Sequence, residues 1–435
     1  MPQPRVPPFI IDSVAVAWEG APHAVPLRHH TTLQFVPVPE WTAAGARHPV
    51  AVVGGSRPIL HVVFRRTPGA GRVGGQVWRI GARSRGCPRP VSRNIRLSFD
   101  GRGLSGPHAF QLEDPLPPGP GKIRLRWHWH ATADRRHQLS ITRLQCYLPR
   151  SSPLLPADWA KQPELTPPKS GALPRRWVYE KVMKWSCQWT LGRTDDKAIC
   201  DRLLRNLPRS GLQYAKQAWS VPDMLNIGGG YCGGMYRLFQ ALAGAQGVKV
   251  ERRSYLVDWR VESPRESRWC AITVHDPGLN RKVPLEAAST FHDDDRSSRK
   301  RGPVVRRHVR RYRFWGQPGA MADGHCINFL FYRRRWYLYD ASFRTLPVAL
   351  MRFKLPPVSS RPLAVDGLGD FKSAYLANAV GHMLGTLEHN DRLYRTRHPD
   401  PEDPKFTSKE SVNGLTVGTR LIPARQHDIT FYWQD

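Results

Sequence analysis

The chain lacks a Cys-x-x-Cys pair, is poor in lysine, and has neither an apolar run of membrane length nor a signal-like stretch near Met1. Each absence excludes something. The seven cysteines (87, 146, 187, 200, 232, 270 and 326) are scattered and odd in number. That fits neither a disulfide framework nor a zinc site, and it points to reduced thiols in the cytoplasm. Without about eighteen consecutive apolar residues, no membrane span is expected. The segment from Met1 to Pro8 is proline-rich, and the next apolar run, Phe9 to Trp18, is broken by Asp12 and reads as a strand. No export signal is therefore expected. Only 14 of the 66 basic residues are lysine, which leaves 52 arginines, and there are 40 prolines and 36 glycines. A net charge of +31 ordinarily suggests nucleic acid or an acidic partner. Here the arginine excess, with abundant Pro and Gly, has the profile of a GC-rich coding sequence, so nucleic acid is not favoured.

What is present is the composition of a folded protein. At 435 residues, with 40% apolar residues and 15 tryptophans, the chain is long enough for two or three domains. Residues 1–150 read as all-β, with short runs such as Ile10 to Trp18, Thr32 to Val36, Val50 to Val53, Ile59 to Phe64, Ile95 to Phe99, Ile123 to His130 and Gln138 to Tyr147 between turn-like segments. That rhythm predicts an Ig-like β-sandwich, a recognition or docking domain by default. His128 and His130 form a His-x-His pair on the basic face of a half-buried strand, and no third ligand is near in sequence, so no metal is assigned. Residues 151–175 are proline-rich and read as a linker. A helix with Trp177, Val178, Val182 and Trp185 on one face follows, and Thr194 is the expected cap of the next. Beyond Asp340, Phe371 to Leu387 has helical spacing, and Leu415 to Ile422 and Ile429 to Trp433 read as closing strands.

The most informative local pattern is Gly229-Gly230-Tyr231-Cys232-Gly233-Gly234, followed by Met235, Leu238, Phe239 and Leu242 at three- and four-residue spacing. It predicts a helix that begins at Cys232 and ends near Gly244 and Gly247. The free N–H groups and positive dipole end of a helix favour negative charge, so a thiol there is biased toward thiolate. The flanking glycines permit a sharp turn and leave room at the sulfur.

A nucleophilic cysteine needs a base, and the base needs an orienting group. His325 opens a strand-like run to Phe331, Arg333 to Arg335 form a turn, and Trp336 to Asp340 return. In such a hairpin His325 and Asp340 lie at the open ends. Alternation groups His325 with Ile327 and Phe329, and Asp340 with Trp336 and Leu338. The bland readings are a buried thiol, a strand-end histidine and a turn-initiating aspartate.

The ordered set resembles the transglutaminase-like branch of the papain-type cysteine enzymes. It comprises the helix Asp195 to Leu204, then Leu212-Gln213-Tyr214, the Gly-Tyr-Cys-Gly helix start, Gly247 to Val250, Ser254 to Val257, His325, and Trp336 four residues before Asp340. The resemblance covers roughly residues 176–345. It implies Cys232 as nucleophile, His325 as general base and Asp340 as the residue that orients the imidazole. It further implies a thioester acyl-enzyme formed from a protein or peptide substrate, without a cofactor. Water as acceptor gives a protease or amidase, and an amine acceptor gives a cross-linking enzyme. Hydrolysis is preferred, because no acceptor site is evident. Gln213, Trp219 and Asn226 are candidates for the second oxyanion donor beside the Cys232 N–H.

Two features depart from the family pattern. The spacing between Cys232 and His325 exceeds what shorter members need, and the inserted segment contains His292-Asp293-Asp294-Asp295 and a basic run from Arg296 to Arg313. Nine of that run's eighteen residues are Arg or Lys, and Tyr312, Phe314 and Trp315 lie in or just after it. The three adjacent aspartates lack the spacing of a calcium loop. The basic run reads as a solvated loop or, functionally, as an anion-binding flap for an acidic partner. The expected fold is α+β: an Ig-like sandwich (1–150), a linker (151–175), a transglutaminase-like catalytic domain (176–350) and a C-terminal α/β extension packed on the core (351–435). The rival from another class is a non-catalytic basic scaffold that binds nucleic acid or an acidic protein.

Overall fold

The computed structural model describes residues 6–17, 21, 23–69, 75–84, 87–154, 177–212, 218–230, 232–259, 267–274, 312–315, 324–341, 347–355, 363–364, 371, 380–388, 419–422 and 429–434. Within these, only the backbone is described for 87–88, 208, 254–259, 267–274, 312–315, 324–325, 363–364, 380–388, 419–422 and 429–434. The protein is sheet-rich, with few helices. It divides into two compact units, Met1–Leu203 with Ala241–Lys249, and Leu204–Gln240 with Val250–Asp435.

The first unit carries a four-stranded sheet, in the order Trp41–Thr42, Phe9–Ala15, Ile59–Arg66, His108–Gln111, and a six-stranded sheet built around the long hairpin of Gly121–Thr132 and Arg136–Leu148. One apolar core draws on both sheets. Phe9 and Phe64 come from the first, and Trp78, Trp127 and Trp129 from the second. Phe9 meets the Trp78 ring edge-on at 5.0 Å. Period-two burial along Gly121–Thr132 puts Leu125, Trp127, Trp129 and Ala131 inward, as its alternating sequence requires. The Trp129 indole N–H donates to Thr142 Oγ1 at 2.9 Å, which satisfies a buried donor. His130 sits against Gly81, where an added Cβ would lie 2.9 Å from the ring. Burial first, then Arg136, Arg83 and Arg79, lower its pKa.

Several local expectations change. Thr32 to Val36 forms no strand and contributes only the bridge from Phe35 to Arg28. Val77–Ser84, not anticipated, pairs with both Gly121–Thr132 and Cys87–Arg96. Val178 and Tyr179 are not helical. They pair in parallel with Leu27 and Arg28, and helix α1 starts one residue later, at Glu180–Trp189. Helix α2 spans Asp196–Asn206, and its cap is Asp195, not Thr194. The Asp195 carboxylate accepts the Ala198 N–H at 2.9 Å, a stronger acceptor one residue nearer the helix. The first residues of the expected linker are tied down: Ser151 Oγ donates to the Gln246 carbonyl at 3.0 Å, and the Leu154 N–H donates to the Gly244 carbonyl at 2.8 Å. Residues 155–176 lie outside the described set.

In the second unit a six-stranded antiparallel sheet runs Val348–Leu350, Arg335–Tyr339, Gly324–Tyr332, Glu251–Trp259, Ile429–Gln434, Leu363–Ala364. A four-stranded sheet runs Tyr312–Trp315, Ser267–Val274, Val380–Glu388, Thr419–Ile422. The helix expected over Phe371 to Leu387 is therefore corrected over 380–387, while 372–379 lie outside the described residues. Val380–Glu388 is a strand paired with Ser267–Val274; Gly381 and Gly385 weaken a helix there, and the neighbouring strand supplies ladder partners. Helix α3 spans Val221–Ile227 and helix α4 spans Cys232–Gly244. Among the described residues, no helix is long and apolar enough to cross a membrane.

Candidate functional site

Cys232 is the first residue of α4 and is 9% exposed. Among the described residues, the other three α-helices each carry an acid in the first turn: Glu180 in α1, Asp196 in α2 and Asp223 in α3. Helix α4 has none. Its first turn reads Cys-Gly-Gly, so the Cys232 sulfur is the one side chain there that can take up negative charge. The helix end that elsewhere is matched by a carboxylate is matched here by a thiol.

Helix α3, which precedes Cys232 in the chain, is capped at both ends. Ser220 caps α3 by accepting the Asp223 N–H, and Gly228 ends that helix in the left-handed conformation (φ 79°). The glycines around Cys232 have a different role from the one expected of them. Gly230 and Gly234 lie against Met224 and the Ala218 carbonyl, and Gly233 lies against the Trp219 ring. A Cβ on Gly234 would fall 2.4 Å from Met224 Sδ, and one on Gly233 would fall 2.5 Å from Trp219 Cε3 and Cζ3. The room they leave is filled by the protein's own side chains, so close packing, not a sharp turn, requires glycine here.

The body of α4 is fixed to the sheet by one row of residues across three strands. Arg252 pairs with Asn328, and Asn328 pairs with Tyr339. The Arg252 guanidinium lies 5.6 Å from the centre of the Tyr236 ring. Asn328 Nδ2 donates to the Tyr236 carbonyl at 3.2 Å, and the rings of Phe239 and Tyr339 stack at 5.3 Å. Burial pushes the Tyr236 phenol above its ordinary value, Cys326 adds to this, and Arg252 and Arg237 oppose it. Sequence reasoning missed this row. Its signal was Asn328, a lone amide inside the apolar run Cys326-Ile327-Asn328-Phe329-Leu330.

His325 is the second residue of Gly324–Tyr332, in register with Tyr255, and its side chain lies outside the described set. Asp340 directly follows Arg335–Tyr339 and is fully buried. The hairpin between them turns on two residues, not three. Tyr332 pairs with Arg335, and Arg333 and Arg334 carry positive φ (48° and 65°). Alternation assigns position 325 to the row of Ile327 and Phe329, which is not the row that α4 covers. Asp340 lies one residue past the last ladder pair, Asn328 with Tyr339. Position 325 is still within the ladder, opposite Tyr255, whereas Asp340 lies past it.

Of the oxyanion candidates, Gln213 lies outside the described residues, as do Asp293 to Asp295 and positions 296–311 of the basic run. Asn226 is exposed near the end of α3. Trp219 presents its six-membered ring to Gly233, which puts the indole nitrogen on the opposite edge. Among the described residues, no three His, Cys, Asp or Glu side chains cluster as metal ligands do. No protein-family model matches the chain, and a search of curated proteins returns no significant match.

Proposed function

We propose that the protein is a transglutaminase-like cysteine enzyme with an N-terminal Ig-like sandwich, and that it hydrolyses an amide bond of a protein or peptide. The observation that carries this reading is the start of α4. Among the described residues, a thiol occupies the one α-helix N-terminus that has no acid in its first turn, on a helix packed against the two strands that carry His325 and precede Asp340.

In this mechanism His325 takes the Cys232 proton and the thiolate attacks the carbonyl carbon. The C–N bond then breaks, the amine leaves with the proton from His325, and a thioester remains. His325 next deprotonates a water that attacks the thioester, releasing a carboxylic acid and restoring the thiol. Asp340 holds the imidazole in the tautomer both steps require. The Cys232 N–H is one oxyanion donor. Hydrolysis is preferred to amine transfer because water needs no acceptor site.

Intact-mass spectrometry after mild iodoacetamide treatment from pH 5 to 9 tests the reading. Selective alkylation of Cys232 below pH 7, slowed in His325→Ala and absent in Cys232→Ala, supports it. Reaction at Cys232 no faster than at the other six thiols removes its basis, and a non-catalytic basic scaffold then accounts better for the chain.

A further inference from the structure

Trp219 is 57% exposed, yet its backbone and its two neighbours are tied to the fold. Its carbonyl accepts Arg237 Nη1 at 2.9 Å. The Ala218 carbonyl before it packs onto Gly230 and Gly234, and Ser220 after it caps α3. The ring stands edge-on to Gly233, the residue next to Cys232. Adjacent Cα atoms are about 3.8 Å apart, so the ring edge lies within about 8 Å of the Cys232 Cα. A large aromatic surface is thus presented beside the candidate nucleophile on a backbone held by these contacts.

A rigid aromatic side chain binds a flat or apolar group at little entropic cost. We infer that Trp219 is a specificity-determining wall of the acyl-donor site and selects substrates with an aromatic or large apolar side chain beside the scissile carbonyl. The inference rests on the proposed role of Cys232. It assigns Trp219 to substrate recognition, not to the oxyanion, because the indole N–H is on the ring edge away from Gly233. It also gives the glycine at 233 a reason: any side chain there would displace the wall.

Two neutral reagents with the same leaving group, iodoacetamide and N-benzyliodoacetamide, test this on the full-length protein. Their rates at Cys232 are read by peptide mass spectrometry, with glutathione as the reference thiol. The benzyl reagent is expected to be favoured at Cys232 about tenfold over its preference at glutathione, the scale of an aromatic contact with its buried area. Trp219→Ala should bring the ratio to the glutathione value, and Trp219→Phe, which keeps a ring in a smaller volume, should retain most of it. A wild-type ratio equal to that of glutathione overturns the inference, as does a ratio that Trp219→Ala leaves unchanged. The absolute iodoacetamide rate reports separately on the proposed nucleophile. A slow Cys232 with a Trp219-dependent ratio sinks the catalytic reading and the acyl-donor site with it, leaving only an aromatic contact at Trp219, and a fast Cys232 without that ratio sinks the wall alone.

Discussion

Cys187 and Cys232 both belong to short helices, and the helices make different things of them. Cys187 is the eighth residue of α1, fully buried, with Met183 Sδ at 3.6 Å and Gln246 Nε2 at 3.5 Å. Burial pushes its thiol up to about 12, against the pull of the Gln246 hydrogen bond. Cys200, the fifth residue of α2, is pushed well above its ordinary value, first by burial and then by Asp196 and Asp201. Both are far enough along their helices to gain little from the dipole, which acts mainly within the first turn. Those first turns already hold Glu180 and Asp196. In α4 the order is reversed, with the thiol at the first position and no acid in that turn. Residue type does not separate a reactive cysteine from an inert one; helix position and the neighbouring charge do.

The largest expected effect tests that contrast directly. At pH 7 the folded protein should be alkylated at Cys232 at least about a hundredfold faster than at Cys187 or Cys200, since reaction needs thiolate and access. Comparable rates at Cys187 in the folded state would break the contrast. Asp340→Asn sharpens it from the other side. The substitution keeps shape at a fully buried position but changes the group proposed to hold the imidazole. Turnover of an amide substrate should fall by about a thousandfold or more, while circular dichroism stays that of the wild type. A loss under about threefold would remove Asp340 from the mechanism.

Stability effects come next. Gly234→Ala sets a methyl 2.4 Å from Met224 Sδ and 2.7 Å from the Ala218 carbonyl. Overpacking against a carbonyl that cannot swing aside should cost about 1–3 kcal/mol in urea denaturation. Gly192→Ala, with nothing within 4 Å but φ at 69°, is the control for backbone strain without a clash. If the two cost the same, packing is not what keeps glycine near Cys232. A gain is expected in the hairpin. Arginine at positive φ is unfavourable by about 1 kcal/mol or more per residue, and Asn-Gly suits a two-residue turn of this kind. Replacing Arg333-Arg334 by Asn-Gly should stabilise the second unit by about 1–2 kcal/mol, and an unchanged midpoint would contradict that backbone geometry.

How much of this was legible in the sequence depended on range. The helix beginning at Cys232 followed from local spacing, because glycines and an amphipathic repeat act within a few residues. The strand pattern of Gly121–Thr132 and Arg136–Leu148 was legible for the same reason: period-two burial is written into Leu125, Trp127 and Trp129. Val380–Glu388 was not, since its strand state depends on a partner more than a hundred residues away, and its spacing alone suits a helix. The row of Arg252, Asn328 and Tyr339 was equally hidden, because register between distant strands joins it. Trp219 on Gly233 was half legible: both residues stood out, and only the fold put one on the other.

The smallest effect concerns a buried acid of the first unit. Glu40 is 1% exposed, and its two carboxylate oxygens accept the Val16 N–H at 2.8 Å and the Ala17 N–H at 2.9 Å. Burial raises its pKa above the ordinary 4.5, and the two backbone N–H groups only partly offset that. The folded state therefore holds this proton to higher pH than the unfolded chain does. Its contribution to stability is fully present below 4.5 and declines as pH rises through the raised value. Glu40→Gln cannot ionise, and it turns an N–H toward one of the two backbone donors, so it should be less stable than wild type throughout. The wild-type advantage should be larger at pH 4 than at pH 8, measured by urea denaturation followed by tryptophan fluorescence. An advantage that grows with pH would mean the two backbone donors outweigh burial, making Glu40 a fixed anion held by the Val16 and Ala17 N–H groups.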